Sequence, residues 1–364
     1  MKKSNWCYVF VFILLIFVLA ACSESGTEQV DSGNTGTVDE NQNNGNGGEE
    51  AELPDVVSIV THAQGGGYHT VGSGLASVIS DNTPIRAIVQ PTAGPNAWMS
   101  DMAAGRVDFG LIAGPDAAWA QSGGPGFDNA TENLRVLFGG PLLSNSGLAV
   151  REDSGIDSLA DLKGKRVGSD YGGNVFSDLI AEALLASAGL TWDDVKEVPV
   201  PDTNTALTSL QNGAVDAVIA ASYTSPNTME VHQAVGLKIL PFADLKPEDI
   251  QDGLPDDLQA IMDDLLPGVF LHPAPGGEGI LTEDTLLPSY EMFMVATEDT
   301  SPETVYTVLK AIWENSEKMH DIHPWTANLS PDNMATTKPP IPYHEGAVKF
   351  YKEIGVWTDE HESN

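Results

Sequence analysis

The stretch HAQGGGYHTVGSGLA, from His62 to Ala76, has residue types that could bind a phosphate or form a nucleophile. A Walker-type phosphate loop needs Lys directly after its last glycine. Gly67 and Gly72 have the Walker spacing, but Ser73 stands where Lys is required. No register of the stretch gives G-x-G-x-x-G either. The sequence therefore does not predict a nucleotide site.

A nucleophile is also poorly supported by these residues. The G-x-S-x-G elbow is absent because Ser73 is flanked directly by glycines. His69 and Ser73 could share one helix face, yet no motif supplies a carboxylate to orient the His. Two readings of the glycines stay open: a tight turn, or a helix N-terminus whose free N–H groups face an anionic ligand.

A second pair with chemical potential, His344 and Glu345, lies near the end of the chain. Their context, PIPYHEGAVKFYKEIG, favours the start of a packing helix over a catalytic pair. The chain contains no H-E-x-x-H motif and no paired His spacing typical of zinc sites. We therefore predict no metal, no cofactor and no enzymatic activity.

The N-terminus predicts export. Lys2 and Lys3 precede a long apolar run that ends in Leu-Ala-Ala-Cys22, which resembles the lipobox of bacterial lipoproteins. We predict a signal peptide over 1–21, lipidation of Cys22 and display outside the cytoplasmic membrane. Cys7 and Cys22 are the two cysteines of the chain, so the mature protein is expected to form no internal disulfide.

The segment 22–55 is predicted to be a disordered tether. After Cys22 it carries nine acidic residues and no Lys, Arg or aromatic residue, so it has too little apolar surface to fold. The whole chain has a formal net charge of −35. This balance argues against nucleic acids and anionic membrane surfaces as partners, because both need basic patches. Acidity of this kind also suits a saline or alkaline environment.

From Val56 onward, strand-like and helix-like segments alternate. The runs that read as strands are VVSIVT, IRAIVQ, VDFGLIA, LRVLFGG, SGLAVRE, GKRVGSD, VKEVPV, VDAVIAA and LKILPF. Helical segments lie between many of them, such as VGSGLASVISD, PNAWMSDMAAG, NVFSDLIAEALLASAG and NTALTSLQNG. This alternation predicts parallel α/β sheets, with ligands where strand ends meet helix N-termini.

Several blocks resemble the TAXI-type solute receptors of TRAP transporters. They are GGGYHTVGSGLA, PTAGPNAWMSDMAAGRVDFGLIAGPDAAWA, REDSGIDSLADLKGKRVGSDYGG, LQNGAVDAVIAASYTSP and PIPYHEGAVKFYKEIGVW, which together run from about Val56 to Trp357. The chain departs from the pattern at His69, Thr70 and Pro95, and in IAGPD, where the family usually has Gln-Ser-Asp. These departures concern the ligand more than the architecture.

The resemblance implies a type II periplasmic-binding-protein fold, in which two α/β lobes joined by hinge strands enclose a ligand cleft. Lobe one would comprise 56–146 plus 240–364, and lobe two 147–239. The implied function is capture of a small carboxylate-bearing solute, an amino acid such as glutamate or glutamine or a dicarboxylate, and its delivery to a TRAP permease. The receptor would be a monomer.

The resemblance also places the candidate ligand contacts on loops of both lobes. They are Gly66, Gly67, Tyr68, His69, Thr92, Gly94, Asn96, Asp116, Tyr171, Gly172, Gly173, Asn174, Ser222, Tyr223 and Thr224. Asp116 could meet a ligand ammonium or cap the helix AAWAQ, and each Tyr could be a packed wall or a hydrogen-bonding contact. The alternatives are a receptor of the same fold for an ABC importer or a sensor, and a tethered hydrolase that uses Ser73 or His69.

The lipobox generates the first testable prediction. Replacing the lipidated thiol in Cys22→Ser should release the protein into the medium or leave an unprocessed precursor. Metabolic labelling with a fatty acid would measure this. Labelling equal to that of the parent protein would contradict the assignment.

Overall fold

The computed structural model describes residues 52–220 and 222–362. The predicted signal peptide, Cys22 and most of the predicted tether lie outside the described residues. Within the described part of the chain, no helix combines the length and apolar character needed to cross a bilayer.

The first sheet has six strands: β1 Val56–Thr61, β2 Arg86–Pro91, β3 Phe109–Ala113, β4 Leu134–Asn145, β10 Phe270–Ala274 and β11 Thr285–Thr297. Its order is β10-β11-β3-β1-β2, and β4 also pairs with β11, from Ser289 to Thr297. β1 runs parallel to β2 and β3, with Val56 opposite Arg86, whereas β11 runs antiparallel to its three neighbours. The carboxyl ends of β1, β2 and β3 thus share one edge.

The second sheet has five strands: β5 Gly147–Arg151, β6 Arg166–Ser169, β7 Lys196–Pro199, β8 Ala217–Ala220 and β9 Leu237–Leu240. Its order is β7-β6-β8-β5-β9, with β6 parallel to β7 and β8. The chain enters this sheet at Ser146, the single residue between β4 and β5. β6 and β8 therefore end on a common edge as well.

The α-helices are α1 Gly67–Asn82, α2 Pro95–Ala103, α3 Gly114–Ser122, α4 Val175–Ser187, α5 Thr203–Gln211, α6 Pro226–Val235, α7 Asp256–Leu265, α8 Pro302–Glu314, α9 Glu345–Glu353 and α10 Asp359–Glu362. α1 buries Tyr68, Val71, Leu75 and Ile79, an apolar stripe at helical spacing that packs on β1 and β2. α4 packs against α7 and against β5 and β8 of the second sheet.

All nine strands predicted from the sequence are present, but β10 and β11 were not predicted. β11 has the sequence TLLPSYEMFMVAT and is buried along nearly all of its thirteen residues. A strand buried on both faces lacks the apolar–polar alternation that identifies a half-exposed strand, and Pro288 further argues against a strand. β11 is nevertheless central, because it joins β10, β3 and β4.

Close packing between β4 and β11 produces the second prediction. A Cβ added at Gly139 would come within 2.1 Å of Cδ1 of the buried Phe293 ring. Gly139→Ala should therefore lower the free energy of unfolding by about 1–3 kcal/mol, the usual cost of overpacking a core. Chemical denaturation measures the change.

Gly172→Ala is the matched control for this measurement. Its new Cβ would have the Pro201 carbonyl oxygen as its nearest neighbour, at an ordinary contact distance of 3.7 Å. The control should unfold close to the parent midpoint. Equal stability of both variants would show that β4 and β11 can separate slightly without cost.

Candidate functional site

The carboxyl edges of the two sheets face each other and are joined by direct hydrogen bonds. The Asn227 N–H at the start of α6 donates to the Gly65 carbonyl at 3.2 Å. Asn96 donates its N–H to the Gly173 carbonyl at 3.2 Å and accepts the Val175 N–H on Oδ1 at 2.9 Å. Loops that follow β1 and β2 thus contact loops that follow β6 and β8. In parallel α/β sheets this edge is the usual place for a ligand.

Two glycines permit this close approach. Gly94 has φ +153°, and a Cβ there would stand 2.3 Å from the Gly173 carbonyl oxygen. A Cβ at Gly173 would meet the Cβ of Ala93 at 2.4 Å. Thr92 holds the same loop, since its hydroxyl donates to the Thr61 carbonyl at 2.8 Å and accepts the Gly94 N–H at 3.2 Å. These candidate residues therefore build the contact between the two edges.

The glycine-rich stretch begins α1, with Gly66 as the N-cap. Gly67 does not have positive φ, and a protein side chain fills the space beside it. A Cβ at Gly67 would lie 2.4 Å from the Trp325 ring. Trp325 lies more than 250 residues further along the chain, so no local pattern could indicate this contact.

Tyr68 lies at the centre of a cluster of buried rings. It stacks on His62 with the ring centroids 4.0 Å apart, and it meets Trp325 edge to face at 5.5 Å. Its hydroxyl has no hydrogen-bond partner among the described residues. Burial lowers the pKa of His62 to about 4 and raises the pKa of Tyr68, so both rings are neutral near pH 7.

Asp116 is fully buried, and neither carboxylate oxygen has a hydrogen-bond partner among the described residues. It does not cap a helix: the N-cap of α3 is Ala113, and Asp116 lies inside the first turn. The helix N-terminus stabilises a carboxylate by about 1 kcal/mol, whereas burial costs an ion several kcal/mol. Burial wins and raises the pKa of Asp116 to about 8.

Tyr290, which lies beside Asp116, was not among the predicted ligand contacts. Asp116 raises the pKa values of both Tyr68 and Tyr290, which places the three groups together. Tyr290 and Ser144 are register partners on β11 and β4. The Tyr290 hydroxyl lies 3.0 Å from the Ser146 hydroxyl. Ser144 Oγ lies beside both phenols, but neither contact has full hydrogen-bond geometry.

The second sheet contributes residues of two kinds. Tyr171 is a packing residue, because its hydroxyl accepts the Ile219 N–H at 2.7 Å inside the second sheet. Ser222 and Thr224 bond each other at 2.9 Å, and the Gly172 N–H donates to the Asp170 carbonyl. In contrast, five buried side-chain oxygens here have no partner in the described part of the chain: those of Ser169, Asn174, Ser225 and Thr228, and Oδ1 of Asp178. Tyr223 is also buried, with its hydroxyl beside Asn145.

The remaining candidates for chemistry have structural roles. Ser73 Oγ donates to the backbone carbonyl of His69, while Nδ1 of His69 faces the Gly65 N–H at 3.5 Å. His344 caps α9, as predicted, by accepting the Gly346 N–H at 3.0 Å. No group of three or more metal-binding side chains occurs within residues 52–220 and 222–362. The two facing sheet edges therefore contain buried hydrogen-bond donors and acceptors that have no partner among the described residues.

The chain belongs to the NMT1-like family, whose model matches residues 59–355. It is 41% identical over 98 residues to a putative thiamine biosynthesis protein of Haemophilus influenzae, covering 26% of this chain and 30% of that protein. It is 30% identical over 116 residues to a putative binding protein of Brucella abortus, covering 32% of each. The chain thus matches less than a third of the length of these curated relatives.

Among solved structures, a protein of Bordetella bronchiseptica RB50 aligns with a TM-score of 0.51 at 16% identity, covering 83% of this chain and 98% of that one. The periplasmic aliphatic sulphonate-binding protein SsuA of Escherichia coli aligns with a TM-score of 0.42 at 17% identity, over 83% and 89% of the two chains. These similarities concern the fold alone. The predicted α/β fold with two sheets is confirmed.

The contact between Gly67 and Trp325 generates the third prediction. Gly67→Ala should lower the free energy of unfolding of the ligand-free protein by about 1–3 kcal/mol, because the new methyl group overlaps the indole. Trp325→Phe removes the indole atoms that a Cβ at position 67 would meet. The alanine should therefore cost much less when it is combined with Trp325→Phe, which a double-mutant cycle of unfolding measures. Additive effects in the cycle would contradict a packing role for Gly67.

Proposed function

We propose that this protein is an extracytoplasmic solute receptor that closes around a small carboxylate-bearing solute. The observation that carries the proposal is the set of buried polar atoms without partners on two facing sheet edges. Each such atom costs about 1–3 kcal/mol unless a ligand or water satisfies it. Donors and acceptors drawn from both edges suit a solute that is enclosed between them.

The buried Asp116 carboxyl group and the helix N-termini of the site favour a small zwitterionic or acidic solute. Asp116 suits a ligand ammonium, which points to an amino acid such as glutamate or glutamine. The helices α1, α4 and α6 begin at the facing edges, and helix N-termini suit a carboxylate without requiring arginine. A dicarboxylate would use the same helix starts. Binding would be reversible, without covalent chemistry.

The movement that opens the site is proposed to occur between two lobes, 56–146 plus 240–364 and 147–239. The single residue between β4 and β5, Ser146, is the first proposed hinge, and the segment after Leu240 is the second. Because α7 packs on α4, we extend the second lobe to include α7. Opening would break the bonds of Asn96 and Asn227 across the cleft.

We further propose that the receptor is lipid-anchored outside the cell membrane and delivers its solute to a TRAP-type permease. The TAXI resemblance and the lipobox support this assignment. Uptake of the bound solute should collapse when the ion gradient is dissipated and persist when ATP is depleted in vesicles with an imposed gradient. The opposite pattern would identify an ABC importer as the partner.

The fourth prediction concerns the solute. In a thermal-shift panel of amino acids, dicarboxylates, sulfonates and sugars, an amino or dicarboxylic acid should stabilise the protein, by about 2.7 kcal/mol at 100 times its dissociation constant. Tyr68→Phe and Ser225→Ala each remove one unpaired hydroxyl, from opposite edges. Each should weaken binding by about 1 kcal/mol, roughly five-fold, in calorimetric titration.

Ser73→Ala is the matched control, because that hydroxyl is exposed and bonds its own helix. It should bind the solute as the parent protein does. Stabilisation by sugars without any response to organic acids would exclude the proposed solute class. Unchanged affinity in both hydroxyl variants would place the site elsewhere.

A further inference from the structure

The groups observed around Asp116 are uncharged near pH 7. The carboxyl group of Asp116 acts electrostatically on Tyr68 of α1 and on Tyr290 of β11, so both phenols lie close to it. Burial and the nearby carboxylate raise the pKa of both phenols, so they stay protonated. His62, stacked on Tyr68, is neutral above about pH 4. β4 contributes the uncharged Ser144 beside the two phenols.

No cation from the described residues balances this carboxyl group. The ion pairs of the described chain all join side chains that are at least one-fifth exposed, and none includes Asp116. An ionised carboxylate buried without a counter-ion is costly, so such a group takes up a proton instead. In the ligand-free closed site Asp116 is therefore a neutral acid.

We propose that the amino group of the solute is the missing counter-ion, and that its binding expels the proton of Asp116 to solvent. This inference rests on the proposed receptor function and names the solute as an ammonium-bearing acid. The proton balance is simple: a carboxylic acid and an ammonium ion in solution become a carboxylate–ammonium pair and one free proton. The ammonium keeps its own three protons.

Because solute binding is coupled to loss of the Asp116 proton, the direction in which affinity changes with pH can be derived. Pairing with the ammonium lowers the pKa of Asp116 from about 8 in the free site. Between that lowered pKa and about pH 8, each binding event therefore releases close to one proton, and affinity rises about tenfold per pH unit until it levels near pH 8. A receptor whose site acid is already ionised would show neither effect.

The test is calorimetric titration of the purified full-length protein in detergent, with each of the twenty common L-amino acids. The amino acid that binds is titrated in two buffers of different ionisation enthalpy, at about pH 6, 7 and 9. The heat difference should correspond to about one proton released per solute at pH 6 and to much less at pH 9. The des-amino counterpart of the binding amino acid, such as glutarate for glutamate, should release none.

Asp116→Asn should abolish the proton release and weaken binding of the amino acid. Asp178→Asn is the matched control: Asp178 is a second largely buried acid with a raised pKa of about 6, but it accepts the Tyr171 N–H. The control should retain the release. If Asp116→Asn fails to fold, the buffer series and pH profile of the parent protein decide the question.

The outcomes separate this inference from the proposed function. An amino acid that binds at pH 6 without proton release overturns the inference and leaves the receptor intact. The same holds if a dicarboxylate binds and none of the amino acids does. If neither amino acids nor other organic acids bind, both the inference and the proposed function fail.

Discussion

The contact between the carboxyl edges of the two sheets is the constraint on which the rest of the structure depends. It is made by backbone atoms, the carbonyls of Gly65 and Gly173 with the N–H groups of Asn227 and Asn96. Backbone groups can approach this closely only where Cβ atoms are absent, as Gly94 and Gly173 show. The contact encloses the polar side chains that follow β1, β3, β6 and β8.

Enclosure sets the electrostatics of the site. The chain carries a formal charge of −35, yet the rings beside Asp116 are neutral and no cation of the described residues is paired with it. Charge is thus kept at the surface, where water screens it, while the site presents dipoles and neutral donors. In the proposed receptor, this division would let a strongly acidic protein bind an acidic solute without arginine.

The same enclosure is costly for stability, since buried groups without partners oppose folding. Packing elsewhere offsets this cost. Phe293 fills the space that Gly139 leaves open, and the ring of Trp325 fills the space beside Gly67. The buried hydroxyl of Tyr351 also bonds the Leu137 carbonyl at 3.0 Å and so fastens α9 to β4. The site thus sits on a framework whose own polar groups are largely satisfied.

The sequence by itself determined the local elements of this protein. Alternation of β-branched runs with helical segments predicted nine of the strands, because each of those segments has its own hydrophobic period. The resemblance to TAXI-type receptors placed the candidate contacts on loops of both lobes. Asn96 and Gly173 were both selected from loops that follow strands, and the structure brings these two residues together. His344 was recognised as a helix start from its immediate neighbours.

Only the tertiary structure decided which distant residues complete the site. Tyr290 lies on β11, a strand too evenly apolar to show a period, and it reaches Asp116 through the pairing of β11 with β3 and β4. Trp325 explains Gly67 from more than 250 residues away. Asp116 followed a predicted strand, but its lack of partners depends on what surrounds it. Solvation and long-range packing are properties of the folded chain, and no local pattern records them.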